Sequence, residues 1–160
     1  MSDQVTIRRG VTADVNAVTV IGQASPTAPR WQLSDYNQII PTKRTLLVAE
    51  CDDKIVGFII GRDIMGEWEL ENVVVGDDFR HRGTGKRLVV EFVLEAKTRN
   101  AKFIFLEVRE SNVAAKRLYE RCGFQQYGRR KQYYSNPPED AVLYRFLGTP
   151  AALENLLKRG

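Results

Sequence analysis

The stretch from Trp68 to Leu88, WELENVVVGDDFRHRGTGKRL, constrains the fold of this chain more than any other. Glu69, Glu71, Val73 and Val75 fall on one face at period two, and Trp68, Leu70, Asn72 and Val74 fall on the other, which is the pattern of a strand. Arg80-His81-Arg82-Gly83-Thr84-Gly85 follows, with two glycines where backbone can turn closely around a ligand. Leu88, Val89, Phe92, Val93 and Ala96 then recur at helical spacing, which predicts a helix from near Thr84 to near Asn100. Amides in the first turn of such a helix have no intrahelical acceptor and carry partial positive charge. Beside basic side chains they make an anion site suited to phosphate or pyrophosphate. A glycine-containing strand-to-helix turn also has a purely steric reading, and the spacing alone leaves both open. Two nucleotide fingerprints are excluded, because a dinucleotide loop needs a third glycine where Leu88 stands and a triphosphate loop needs Ser or Thr where Arg87 stands.

A chain of 160 residues with 43% apolar content has enough to bury one core. Its 24 basic and 20 acidic residues leave a formal charge of +4, which suits a polyanionic cofactor and nucleic acid equally. Cys51 and Cys122 have no paired spacing and no neighbouring His, so they read as buried free thiols of a reducing compartment, with no disulfide and no metal site. The N-terminus MSDQVTIRRG lacks an apolar signal core, and the aliphatic run Ile55–Ile60 is too short to span a bilayer. The expectation is a soluble, cytoplasmic protein.

Along the chain, Gln4–Arg9 alternates as a strand, and Thr12 or Asp14 can cap a helix carrying Val15, Val18 and Ile21. Ala24–Gln32 is a proline-containing loop in which Trp31 reads first as a packing anchor and second as part of a substrate entrance. A short helix is predicted from Ser34 to about Ile40. Thr45–Cys51 and Lys54–Arg62 flank Asp52-Asp53 as a hairpin, and Met65-Gly66 makes the next turn. Lys102–Val108 must run parallel to the Trp68 strand, because a helix separates them. Ser111 or Asn112 can cap the following helix, with Ala115, Leu118, Tyr119 and Cys122 on one face and Gly123 as its stop. On patterning alone Tyr119 is a core residue and Glu107 an edge carboxylate. Thr149–Gly160 is helical in pattern, with Leu153, Leu156 and Leu157 on one stripe.

Arg80-x-x-Gly83-x-Gly85 after an apolar strand resembles the pyrophosphate-binding motif of the GNAT-superfamily acetyltransferases, which hold acetyl-CoA. The segment Leu106–Phe124, Leu-Glu-Val-Arg-x-Ser-Asn-x-x-Ala-x-x-Leu-Tyr-x-x-x-Gly-Phe, is similar to the second motif of one branch, the bacterial ribosomal-protein-alanine N-acetyltransferases. Arg130-x-x-Tyr133-Tyr134 followed by Glu139-Asp140-Ala141 belongs to the same likeness, which spans roughly residues 68 to 145. The resemblance implies a mixed α/β domain over residues 1–148, with a central sheet of about seven strands splayed between strands four and five. Residues 149–160 are then an extension packed on that domain. It further implies that Glu107 takes the proton of the attacking amine and that Tyr119 gives one to the departing thiolate. The backbone of Val73, Val74 and Val75 would bind the pantetheine arm and polarise the thioester. His81, Arg82, Gly83, Thr84, Gly85 and Lys86 would hold the pyrophosphate, and Asn112 would hydrogen-bond the pantetheine.

The acceptor implied is the α-amine of a protein N-terminus such as that of a ribosomal protein, attacked directly in a ternary complex. Two features depart from the family pattern. Glu69 and Glu71 stand on the face that should meet substrate, and Glu69 lies where other branches keep their base, so it rivals Glu107. The acidic pair could instead attract a cationic amine. Arg129, Arg130 and Lys131 with Tyr133 and Tyr134 could line a peptide groove or form a solvated hairpin. The alternatives are a small-molecule amine as acceptor and a non-enzymatic module that binds RNA or a ribosomal surface. No DNA or membrane partner is expected, and the chain is expected as a monomer or weak dimer.

Overall fold

In the computed structural model, which describes residues 4–158, the strands are β1 Thr6–Arg9, β2 Thr45–Cys51, β3 Lys54–Ile64, β4 Glu67–Val75, β5 Phe103–Arg109, β6 Gln125–Ser135 and β7 Pro138–Phe146. The helices are α1 Val15–Ala24, α2 Leu33–Asn37, α3 Thr84–Thr98, α4 Val113–Arg121 and α5 Pro150–Lys158. All seven strands belong to one mixed sheet in the order β1-β2-β3-β4-β5-β7-β6. The β1–β2, β2–β3, β5–β7 and β6–β7 ladders are antiparallel, and β4–β5 is parallel, as an intervening helix requires. That parallel ladder registers only Glu67–Glu69 against Phe103–Phe105 and then ends. The sheet therefore splays between its fourth and fifth strands.

The chain divides into two compact units. One comprises the chain up to Arg62 with Leu70–Phe92, and the other comprises Asp63–Glu69 with everything from Val93 onward. Both β4 and α3 contribute residues to each.

The first unit is built on β2 and β3, whose residues are apolar on both faces and buried along most of their length, as central strands must be. Their Asp52-Asp53 turn has both residues at positive φ, 48° and 62°, the primed-turn geometry that matches the twist of the strands. Val15 and Val18 of α1 pack with Tyr36, Ile39, Leu46, Val48, Phe58, Ile60 and Val74 in one buried cluster, with Trp31 and Ile21 against its margin. Trp31 is thus a packing residue, its ring 5.4 Å from that of Tyr36. The second unit holds a chain of rings, with Tyr119 to Phe124 at 5.9 Å, Phe124 to Phe146 at 5.5 Å and Tyr119 to Tyr144 at 6.4 Å. Trp68 is fully buried, with the Arg99 guanidinium 4.9 Å over its ring.

Several boundaries differ from the sequence expectation. β1 begins at Thr6, β3 continues to Ile64 and α3 ends at Thr98. α2 covers Leu33–Asn37, one residue earlier than expected and stopping short of Ile40. Asp14, rather than Thr12, accepts the Val11 amide at 2.8 Å and closes the turn before α1. A 3-10 turn at Asp77–Phe79 precedes the basic loop and has no apolar periodicity to announce it. Among the described residues no helix is long and apolar enough to cross a membrane, and no cluster of His, Cys, Asp or Glu is placed to hold a metal ion. Cys51 and Cys122 are buried thiols outside any disulfide.

Candidate active site

In the first unit the chain leaves β4, makes the Asp77–Phe79 turn and enters α3 at Thr84. His81 at φ 61° and Gly83 at φ 80° reverse the backbone twice within three residues. No atom lies within 4 Å of where a Gly83 Cβ would be, so it is the left-handed conformation and not crowding that calls for glycine. The first intrahelical bond of α3 runs from the Arg87 amide to the Gly83 carbonyl at 3.0 Å, so the amides of Thr84, Gly85 and Lys86 lie ahead of it. Three amides at the positive end of a fifteen-residue helix, among Arg82, Lys86 and His81, have the chemistry a pyrophosphate requires. Thr84 is buried and anchors the start of the helix.

Val74 faces the core while Val73 and Val75 lie on the partly exposed face of β4. The Val75 carbonyl accepts from Arg80 Nε at 3.1 Å, which ties the end of the strand to the loop. On that same face Glu71 is not available to an incoming amine. Its side chain, 7% exposed, is held by Arg44 Nε at 3.0 Å and Arg62 Nε at 2.8 Å. The acidic pair expected from Glu69 and Glu71 is thereby divided, since a carboxylate between two guanidinium groups presents no net negative charge to a substrate. The buried Asn72 carboxamide approaches the Tyr36 hydroxyl without completing a hydrogen bond, and it lowers a phenol pKa that burial raises.

The second unit carries the side-chain chemistry. Glu107 projects from β5 on the same face as Phe105 and Arg109, opposite the buried Leu106 and Val108. Glu69 enters through its register with Phe105. Both carboxylates act on Tyr133 of β6, whose phenol pKa is raised first by side-chain hydrogen bonding to Glu107, then by burial and the charge of Glu107, with a smaller push from Glu69. Arg130 Nε stands 3.4 Å from Glu107 Oε1, and its guanidinium lies 5.6 Å over the Tyr133 ring. Tyr134 meets Tyr133 edge to face at 5.1 Å and is pushed up to about 12, chiefly by burial and then by Glu107.

Tyr119 sits at the end of α4, where the chain closes with two bonds of a Schellman motif. The Gly123 amide donates to Glu120 O at 3.1 Å and the Phe124 amide to Tyr119 O at 3.0 Å, with Gly123 at φ 89°. The Tyr119 side chain is 6% exposed, and burial raises its pKa well above that of a free phenol, with Tyr134 among the contributing neighbours. The Tyr119 phenol therefore keeps its proton across the physiological range. Asn112 is the cap of α4, its Oδ1 accepting the Ala115 amide at 3.2 Å, so only its Nδ2 end is left to meet a ligand. Ser111 plays a different part, its amide bonded to Glu139.

Glu107, Tyr119, Tyr133 and Tyr134 thus form one cluster in the second unit, while Val73–Val75 and the 81–86 loop lie in the first. Sequence reasoning left Tyr133 undecided between groove and solvated hairpin, and the structure places its ring under the Arg130 guanidinium that reaches Glu107. The role of Arg109 was missed. It donates to Pro137 O at 3.1 Å, Asn136 O at 3.4 Å and Glu139 Oε1 at 3.3 Å, and stacks over Tyr134 at 4.2 Å. Its signal in the sequence was its place two residues past Glu107 on the same face of β5.

The fold is shared with known acetyltransferases. A crystal structure of the ribosomal-protein-S18-alanine N-acetyltransferase from Escherichia coli superposes with a TM-score of 0.80 at 28% identity, covering 89% of this chain and 93% of that one. A Bacillus anthracis protein crystallised in complex with acetyl coenzyme A superposes at 0.76 with 26% identity, covering 91% of this chain and 99% of that one. The chain belongs to the acetyltransferase (GNAT) family, whose model matches residues 18–124. Among curated relatives, the ribosomal protein bS18-alanine N-acetyltransferase of Salmonella typhimurium is 38% identical over 99 residues, 61% of this chain and 67% of the relative.

Proposed function

We propose that this protein transfers the acetyl group of acetyl-CoA to the α-amine of a protein N-terminus, with a ribosomal protein as the favoured acceptor, in the cytoplasm. The observation that carries the reading is the Glu107 cluster, a carboxylate on β5 with Arg130 Nε 3.4 Å from it and that guanidinium over the Tyr133 ring. Acetyl-CoA supplies an acetyl thioester activated toward amines. The amides ahead of the first bond of α3, with His81, Arg82 and Lys86, bind its pyrophosphate. The backbone of Val73–Val75 and the Asn112 Nδ2 hold the pantetheine arm, and the strand amides stabilise negative charge developing on the carbonyl oxygen.

An α-ammonium is not a nucleophile, so the carboxylate of Glu107 takes its proton, directly or through one water, and releases it to solvent before attack. The amine nitrogen then bonds the acetyl carbon as the carbon–sulfur bond breaks, the second proton leaving with Glu107 and the electron pair passing to sulfur. Tyr119 supplies its phenolic proton to the developing thiolate as a hydrogen bond. Glu69 is the rival base and Glu71 is not, because its two arginines already neutralise it.

The test is thiol release from acetyl-CoA with peptides beginning in Ala, Ser or Met, the same peptides blocked at the α-amine, and a panel of small amines. Turnover restricted to free N-terminal peptides supports the reading. Faster turnover of small amines overturns the acceptor while leaving the chemistry in place. Acetylation of intact ribosomal proteins, located by mass spectrometry, then separates a ribosomal acceptor from other protein N-termini.

A further inference from the structure

The β6–β7 ladder is interrupted where the acceptor cluster needs it. Pairing runs from Gln125↔Arg145 to Arg130↔Ala141 and resumes at Tyr134↔Glu139, four steps along β6 against two along β7. The surplus forms a bulge that contains Tyr133. At its apex Gln132 adopts φ 49°, a left-handed conformation costly for a residue with a Cβ. The Gln132 amide donates to Asp140 Oδ1 at 2.9 Å. The other carboxylate oxygen of Asp140 accepts from Arg129 at 3.2 Å, and its backbone carbonyl accepts the Glu110 amide at 3.2 Å. Asp140 therefore joins the bulge, the β6 strand before it and the end of β5, the strand that bears Glu107.

From this arrangement we infer that Asp140 is a positioning residue of the acceptor site: it pins the Gln132 bulge that aims Tyr133 at Glu107. Arg130 links the two groups, its Nε 3.4 Å from Glu107 Oε1 and its guanidinium 5.6 Å over the Tyr133 ring, so the bulge sets Tyr133 beside that carboxylate, the relation of a base to the group that orients it. Without a β-bulge, Tyr133 would be an ordinary ladder residue pointing where the pleat sends it. The sequence motif of two tyrosines followed at short distance by Glu-Asp has a physical meaning here: the acid on β7 sets the shape of the strand that carries the aromatic pair.

This inference rests on Glu107 and Tyr133 belonging to the acceptor site, and its test is separable from that reading. Steady-state kinetics with a free N-terminal peptide are measured for Tyr133→Phe, Asp140→Ala and the double variant, with Asp140→Asn and Glu107→Gln alongside. Tyr133→Phe and Asp140→Ala are each expected to lose about 10- to 100-fold in kcat, the scale of a misplaced reacting group, with KM for acetyl-CoA unchanged. The double variant should fall no further than the worse single, because both remove one function. Asp140→Asn keeps an oxygen for the Gln132 amide and should recover most of the lost rate. Additive losses, a weakened KM for acetyl-CoA in Asp140→Ala equal to its loss in kcat, or an Asp140→Asn variant as poor as Asp140→Ala would overturn the inference. Wild-type kcat in Glu107→Gln would overturn the base assignment instead, while the coupling between Asp140 and Tyr133 is read from the cycle independently of it.

Discussion

The two units of this chain build their parts of the chemistry from different materials. In the first, the loop proposed to hold pyrophosphate and the end of β4 would act through backbone: amides at a helix start, a strand edge and two left-handed residues, His81 and Gly83. In the second, the roles proposed for Glu107, Tyr119 and Tyr133 fall to side chains whose aim depends on a strand register, a helix stop and a bulge. A backbone site survives most side-chain replacements and fails when the conformation is disturbed. A side-chain site fails at single atoms and tolerates modest backbone strain. The comparison predicts that substitutions in the Glu107 cluster of the second unit act on kcat and those in the loop of the first on KM for acetyl-CoA.

The largest effect is expected at Glu107. Glu107→Gln removes the proposed proton acceptor at nearly constant shape and should lower kcat by about 10²- to 10⁴-fold, the usual weight of general base catalysis. Glu69→Gln should stay within about 10-fold if Glu69 only adds negative potential near Tyr133. Steady-state thiol release decides between them, and a reversed order would move the base to β4.

Tyr119→Phe comes next. Burial keeps this phenol protonated, so in its proposed role it gives the departing sulfur a hydrogen bond and not a freely ionising acid. Its loss should cost about 10- to 100-fold in kcat, matching the ~1.5–3 kcal/mol of a hydrogen bond to a charged group. A raised pKa also means that Tyr119 adds no alkaline limb to the rate profile below about pH 10, the value of an unperturbed phenol. A limb below that pH that disappears in Tyr119→Phe would show the phenol ionising and contradict the assignment.

The contrast also explains what could be read before the fold was seen. The backbone-built loop was legible because its requirements are written as spacing: apolar alternation, then glycine at a turn, then helical periodicity. α4 was legible for the same reason, with Gly123 marking its stop. Glu107 and Tyr119 took their roles from resemblance, since patterning alone gives an edge carboxylate and a core tyrosine. The Gln132 bulge was not legible at all, because its left-handed residue is neither Gly nor Asn and the acid that holds it lies on the next strand. The neutralisation of Glu71 was equally hidden, since Arg44 and Arg62 come from positions with no local pattern to pair them.

A smaller effect, and one of the opposite kind, is expected in the loop. Gly83→Ala meets no atom within 4 Å, so its only cost is the left-handed conformation. That is about 1–2 kcal/mol, which lowers Tm by about 2–4 °C per kcal/mol for a chain of this size. If the loop relaxes away from φ 80°, its amides lose their aim and KM for acetyl-CoA rises while kcat at saturation holds. A fall in kcat without a change in KM would break the division between the two units.

The smallest effect lies outside the chemistry, in the contact that fixes the first unit's opening turn. Asp14 accepts Arg8 at 2.8 and 3.0 Å through its two oxygens and the Val11 amide at 2.8 Å. The hydrogen bonds from Arg8 hold its pKa below the ordinary carboxylate value against a burial that would raise it. The sign follows from the folded state binding this proton less readily than the unfolded chain does. The stabilisation is complete above the unfolded value of about 3.9 and is lost as pH falls through the lower, folded one. Asp14→Asn keeps an oxygen for Val11 but loses the ion pair, and should destabilise by about 1–2 kcal/mol at pH 7. Urea unfolding of both proteins at pH 7 and near pH 3 should show that gap narrowing in acid while kcat at neutral pH is unchanged. A gap that persists undiminished in acid would mean that Asp14 acts through packing and not through its charge.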